Sequence, residues 1–297
     1  MSSARLGATG RYARTMPDPF APPGIVLGVA SLVLGAGMTE ERAEQVVRAA
    51  VQSGAVAIDT ARAYAALEDD SVGERLALGA RQSRAGIPII TKAGHFRAGI
   101  SSWDADGSAA RLRHDAQRTL DVLGAPPALL LLHRTDRVDD VAESVRTLAE
   151  LREQGFALRI GLSNATLEVL EQVQSITRID AVENRLGLAV DSFDEYRYCR
   201  DRGIDFLAYA PFGGPHAAPL ATRVPRVAAV AASRGVSAHR LALAAMLDAL
   251  PGCWPIVGPR RVESAVDSIV AAQYDVDDEL RQAFSDDLRS RDVPLPR

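Results

Sequence analysis

Ile87-Pro88-Ile89-Ile90-Thr91-Lys92 is a short apolar run that ends on the only lysine in a chain of 297 residues. Every other member of the 34 Lys and Arg residues is arginine. The run reads as a strand buried on both faces, as in a parallel sheet. Arginine stays charged under all protein conditions, whereas lysine is a compact point charge that burial can tune. One ammonium kept at the end of a buried strand therefore asks for a chemical reason.

The same apolar runs recur on either side. Ile25 to Leu34 and Ala55 to Asp59 precede it; Leu129 to His133, Ala157 to Leu162, Ile179 to Glu183, Asp205 to Ala210 and Trp254 to Val257 follow. Between them lie helical patterns. Thr39 caps one, with Glu40 and Glu41 in its first turn and Ala43, Val46, Val47, Ala50 and Val51 at helical spacing before Gly54. Others run over about 71–84, 108–123, 138–154, 166–173, 191–202, 227–250 and 261–271, with a last amphipathic stretch at 277–288. Lys92 is followed by a polar loop to about Ser108. Eight strand–helix units at roughly 30-residue spacing predict a (β/α)8 TIM barrel, a single α/β domain over residues 25–289. Residues 1–24 read as a small hairpin, turning at Gly7 and Gly10, and a Pro-rich connector; residues 290–297 form a tail. An open doubly wound sheet is the alternative, but Gly35-Ala36-Gly37 lacks the third glycine of a dinucleotide fingerprint.

Composition excludes several classes. With 47% hydrophobic and 24% charged residues and a net charge of −4, the chain has no basic footprint for nucleic acid or an anionic membrane. No apolar run approaches the ~20 residues of a spanning helix, and residues 1–24 lack the core of a secretory signal. Cys199 and Cys253 are far apart, without metal-ligand spacing, so no metal is expected and the thiols fit a reducing cytoplasm. The choice between monomer and homo-oligomer stays open.

A barrel of this kind builds its site at the C-terminal ends of its strands. Those ends carry Asp59, Lys92 and His133 on three successive strands, then Ser163 and Asn164, Glu183 and Tyr209. Neighbouring strands are about 4.8 Å apart, so such side chains can converge. Tyr64, five residues past Asp59, can fold back over the mouth. A phenol is a weak acid near pH 10; an ammonium beside it lowers its pKa, Asp59 would orient that ammonium, and His133 could polarise a carbonyl.

Asp59-Thr60-Ala61-x-x-Tyr64, Ile90-Thr91-Lys92, Leu130-Leu131-Leu132-His133-Arg134, Gly161-Leu162-Ser163-Asn164, Ala208-Tyr209-Ala210-Pro211 and Ile256-Val257-Gly258-Pro259-Arg260-Arg261 together resemble the aldo-keto reductase family, from about Arg5 to Ala271. All four of the family's catalytic positions match: Asp59, Tyr64, Lys92 and His133. The resemblance implies an N-terminal hairpin closing the barrel bottom and an extended nicotinamide cofactor, NADPH/NADP+ in preference to NADH. Tyr209 would stack on the nicotinamide, and Ser163, Asn164 and Glu183 would hold its carboxamide. Ala210 and Pro211 would also bind the cofactor, the Phe212-Gly213-Gly214 turn would approach the pyrophosphate, and Gly258, Pro259, Arg260 and Ser264 the adenosine end, Arg260 at the 2′-phosphate. His95, Phe96 and Trp103 would line the pocket for a small-molecule carbonyl or alcohol. His239, in a helical run, reads as a surface or core residue.

Glu183 stands where the family has Gln, and Ser264 and Ser268 where many members have Arg and Asn. A carboxylate at 183 would favour the oxidised cofactor unless Arg185, two residues along, neutralises it. The expected function is an NADP(H)-dependent oxidoreductase interconverting a carbonyl (aldehyde, ketone or sugar) and an alcohol, with Tyr64 as general acid/base. The alternatives are a cofactor-binding regulatory protein of the same fold with little turnover, and a Schiff-base barrel lyase using Lys92.

Overall fold

A computed structural model describes residues 24–66, 69–188, 192–214 and 217–290. The expected N-terminal hairpin, its connector and all but the first residue of the tail lie outside the described residues. In chain order the strands are β1 (Val26–Gly28), β2 (Ile58–Asp59), β3 (Ile89–Ala93), β4 (His95–Arg97), β5 (Trp103–Ala105), β6 (Leu129–Leu132), β7 (Ile160–Ser163), β8 (Ala181–Arg185), β9 (Asp205–Tyr209) and β10 (Cys253–Val257). Eight of them close into a barrel in the order β1-β10-β9-β8-β7-β6-β3-β2, every pair parallel; β4 and β5 form a separate antiparallel hairpin. The chain folds as a (β/α)8 barrel in one domain.

Helices α1 (Ala30–Val33) and α2 (Glu40–Gln52) follow β1, α3 (Val72–Gly79) follows β2, and α4 (Ala109–Leu123) follows the hairpin. Then α5 (Val141–Glu153), α6 (Leu167–Val173) and α7 (Phe193–Arg202) follow β6, β7 and β8. After β9 come α8 (Leu220–Arg223), α9 (Pro225–Ser233) and α10 (Ala238–Ala249), and after β10 come α11 (Val262–Ile269) and α12 (Asp278–Arg289). Thr39, Ser108, Asp140, Thr166, Ser237 and Asp277 each accept the backbone N–H three residues on, which fixes where six of these helices begin. Each such cap contributes about 1 kcal/mol.

Two expectations need correction. The first strand stops at Gly28, because the N–H groups of Leu32 and Val33 turn back to the Val29 carbonyl and wind a helical turn, α1. The stretch after Lys92 is not an open loop. His95 pairs with Ala105 and Arg97 with Trp103 across β4 and β5.

Strand alternation sorts the side chains into two layers. Alternate members such as Leu130, Leu132, Ile160, Leu162, Val182, Phe206 and Ala208 pack outward against the helices. Their neighbours Val26, Ala57, Ile90, Leu131, Ala181, Leu207 and Ile256 fill the lumen as one apolar cluster. Gly161 belongs to this inward set, and a Cβ there would come within 2.2 Å of the Ala181 carbonyl, so β7 and β8 meet closely only because it is glycine. Two residues further along each strand, on the same inward face, stand Asp59, Lys92, His133, Ser163, Glu183 and Tyr209.

Candidate active site

Lys92 is wholly enclosed. Its Nζ donates to Asp59 Oδ2 at 2.5 Å and to the Thr60 carbonyl at 3.0 Å, and lies 3.2 Å from Glu183 Oε1. Burial alone would pull the Lys92 ammonium down, but Asp59 and then Glu183 raise it well past its ordinary value. The group is a fixed cation. Tyr64 presents its ring to that cation, with Nζ 5.3 Å from the ring centroid, and meets His133 edge-on at 5.8 Å.

The sequence expectation for Tyr64 is right in sign for one neighbour and reversed in net. Burial pushes the phenol up; Lys92 pulls it down, and Asp59 and Glu183 push it up again, leaving it above its ordinary value. Tyr64 is therefore a phenol, a proton donor, at neutral pH. His133 is neutral as well, its pKa held well below the ordinary value by burial and then by Lys92, His95 and Arg134. A neutral imidazole carries one N–H to give to an oxygen in the cleft.

The loop carrying Tyr64 is held from three sides. Gly73 donates its N–H to the Tyr64 carbonyl at 3.1 Å, and a Cβ on Gly73 would meet that same oxygen at 2.8 Å. Buried Arg62 pairs with Glu74 at 2.9 Å and also with Asp70, while Glu74 accepts the hydroxyls of Thr91 and Thr119. From the β4–β5 hairpin, Trp103 Nε1 donates to the Ala63 carbonyl at 3.1 Å and Arg97 Nη1 to the Ala65 carbonyl at 2.7 Å. The carbonyls on both sides of Tyr64 are thus tied to the hairpin.

A cleft of about 1370 Å³ opens above these residues. Asp59, Tyr64, His133, Ser163, Asn164, Glu183 and Tyr209 line it, as do Ala210, Pro211, Phe212, Gly258, Pro259, Arg260, Arg261 and Ser264. Gly213 is not among its lining residues, though Gly214 is. Asn164 and Ala210 take left-handed backbone (φ 58° and 50°) just past β7 and β9. Asn tolerates that region; Ala does so at a cost, and such outliers gather at functional sites. Tyr209 Oη donates to Asn164 Oδ1 at 2.7 Å, and Asn164 Nδ2 to the His133 carbonyl at 2.9 Å. Arg260 holds the Ala36 carbonyl, and Arg261 lies at 3.2 Å from Ser264 Oγ.

His95, Phe96 and Trp103 do not line the cleft. His95 packs edge-on behind His133 at 4.7 Å, and Phe96 lies under the Arg111 guanidinium at 3.9 Å. Burial and then Arg134 and Arg137 bring His95 down to about 4. Arg185 does not neutralise Glu183 but is exposed and donates to the Gly213 carbonyl at 3.2 Å. Sequence reading missed Ser31, Arg134, Ser237, His239 and Arg240 in the lining. His239 is a surface residue, as expected, and it also faces the cleft. The usable signal was topological: a barrel helix runs antiparallel to its strands, so the first turn of α10 returns to the mouth.

A family model described as "Aldo/keto reductase family" matches residues 24–284. The chain belongs to the aldo/keto reductase family. An "Aldo-keto reductase" of Gibberella moniliformis is 31% identical over 188 residues, 62% of this chain and 56% of that protein, so the aligned part spans little over half of the relative. The "Pyridoxine 4-dehydrogenase" of Escherichia coli is 29% identical over 203 residues, 65% of this chain and 69% of the other. Among solved structures, aldose reductase from Giardia lamblia superposes with a TM-score of 0.72 at 20% identity, over 89% of this chain and 92% of that one. An aldo/keto reductase from Klebsiella pneumoniae, solved with NADP and acetate, superposes with 0.69 at 20% identity over 92% of each chain. At those identities the structures speak for the fold. The sequence relatives carry the names of a reductase and a dehydrogenase.

Proposed function

We propose that the chain is an NADP(H)-dependent oxidoreductase that interconverts a carbonyl and an alcohol, with Tyr64 as general acid in reduction and general base in oxidation. The convergence of Asp59, Tyr64, Lys92 and His133 at one end of the cleft carries this reading. The cleft suits an extended dinucleotide. Its lining includes Asp59, Tyr64 and His133 together with Arg260 and Arg261, and the buried Glu183 Oε2 has no hydrogen-bond partner.

Ser163, Asn164 and Glu183 would hold the carboxamide, Tyr209 would stack on the ring, and Arg260 with Ser264 would take the 2′-phosphate of NADP(H) over NAD(H). When bound, the nicotinamide supplies or takes the hydride. The chain's own residues handle the proton. His133 donates its N–H to the carbonyl oxygen and so draws electrons away from the carbon. Tyr64 gives its proton to that oxygen as it becomes an alcohol, and Lys92 steadies the phenolate that remains. Asp59 holds Lys92 in place.

The enclosed, ion-paired ammonium argues against a Schiff-base lyase, which needs a neutral amine open to substrate. The test is a fluorescence titration with NADPH, followed by turnover on a carbonyl panel. Pyridoxine and its aldehyde come first in that panel, as the Escherichia coli relative's name suggests. Tyr64→Phe should bind NADPH as wild type does and lose roughly 10²–10⁴-fold in turnover. Binding without turnover across the panel would support a regulatory protein; no binding would overturn both readings.

A further inference from the structure

Asp59, Lys92 and Glu183 expose 4%, 0% and 4% of their side chains, so two carboxyls and a single ammonium share a largely buried space at the floor of the cleft. Lys92 Nζ lies within 3.2 Å of an oxygen of each, so the two carboxyls are brought together on one cation. Two carboxylates there would leave one buried negative charge without a counter-ion. Counted as ionised, Glu183 moreover leaves Oε2 buried and without a partner. One proton held between the pair answers both defects and brings the cluster to neutrality. Asp59 lies nearer the ammonium, at 2.5 Å against 3.2 Å, and so keeps its charge.

We propose that Glu183 is a neutral carboxylic acid that shares its proton with Asp59 and, acting beside Lys92, sets how readily Tyr64 releases its own. This rests on the reading of Tyr64 as general acid. Glu183 acts through its neighbours and is a positioning residue in that reaction.

The charged and titratable groups facing Glu183 are Asp59 from β2, Tyr64 from the loop after β2, Lys92 from β3 and Tyr209 from β9. The residue level with it on β7, Ser163, is uncharged. Burial and then the Asp59 charge hold the Glu183 carboxyl well above its usual range. Once it does ionise, its charge adds to that of Asp59 in holding the Tyr64 proton. Tyr64 thus stays an acid further into alkaline solution, the reverse of the oxidative bias that a bare carboxylate at 183 would give.

Glu183→Gln keeps the shape and removes both the proton and the possible charge. In the free protein labelled with ¹³C at the glutamate carboxyls, wild type should show one glutamate signal at the neutral-acid position near pH 7. The variant should lack it. In parallel, tyrosinate absorbance should begin to rise at a pH lower by roughly one unit or more in the variant. Where turnover is found, the alkaline fall of the reduction rate should move the same way. The proposal is overturned if every glutamate is ionised near pH 7, if the neutral signal survives in the variant, or if the two tyrosinate titrations coincide. Should the variant not fold, the wild-type spectrum still decides. None of these spectra needs NADPH or a carbonyl, so failure to bind or turn over would strike the proposed function alone.

Discussion

Three acceptors lie within 3.2 Å of Lys92 Nζ, arranged for a compact ammonium. A guanidinium is larger, planar and fixed in its donor directions. Lys92→Arg should therefore fold less stably and lose most of its turnover even though the charge is unchanged. Steady-state kinetics on a purified, folded variant checks this, and near-wild-type kcat would show that any cation suffices. Arg260 lines the cleft after β10. Arg260→Ala should weaken NADPH binding by about 1.5–3 kcal/mol and NADH binding much less, because only NADPH carries the 2′-phosphate. Fluorescence titration with both cofactors reads the difference directly, and an equal loss would move the phosphate site elsewhere.

The β4–β5 hairpin illustrates what an element can do without entering a pocket. Trp103 and Arg97 reach past the cleft and hold the carbonyls of Ala63 and Ala65, so their effect on chemistry passes through the placement of Tyr64. Trp103→Phe removes one hydrogen bond and keeps most of the ring. It should cost about 1 kcal/mol, and if that falls on the placement of Tyr64, kcat should drop several-fold with KM for cofactor unchanged. A rise in KM for the carbonyl with kcat intact would return Trp103 to the pocket. The eight barrel strands and the capped helices were legible because apolar runs and capping residues such as Thr39 and Ser108 are local signals. The hairpin was not, since His95-Phe96-Arg97 and Trp103-Asp104-Ala105 pair with each other and carry no strong alternation. Asp59, Lys92 and His133 were legible because strand ends and alternation place them, and Tyr64 because its spacing from Asp59 matches the family motif. The roles of Arg185 and His95 were not, because a side chain's direction beyond the strand depends on what packs against it.

For the molecule as a whole, the two histidines packed edge to face make stability depend on acid. An unfolded histidine takes a proton near 6.5, but His95 in the fold does so only near about 4, and His133 is displaced the same way. Between those values the unfolded chain binds more protons than the folded one, so stability falls as pH drops from about 6.5 toward 4 and is complete above that window. His95 alone accounts for roughly 3 kcal/mol across it. Urea midpoints measured at about pH 7 and about pH 4.5 should differ in wild type, and by clearly less in His95→Phe. Equal differences in the two proteins would place the acid sensitivity in the carboxylates instead.

The lone lysine bears on handling as well as on chemistry. Because its amino group is walled in by the barrel, acylating reagents aimed at lysine find no target on the folded surface. Pulses of a labelled anhydride would then mark Lys92 only in molecules that have opened, and mass spectrometry of the 92-containing peptide would act as a clock for that opening. A reagent that usually reports how much surface a protein shows would here report how often the active centre comes apart.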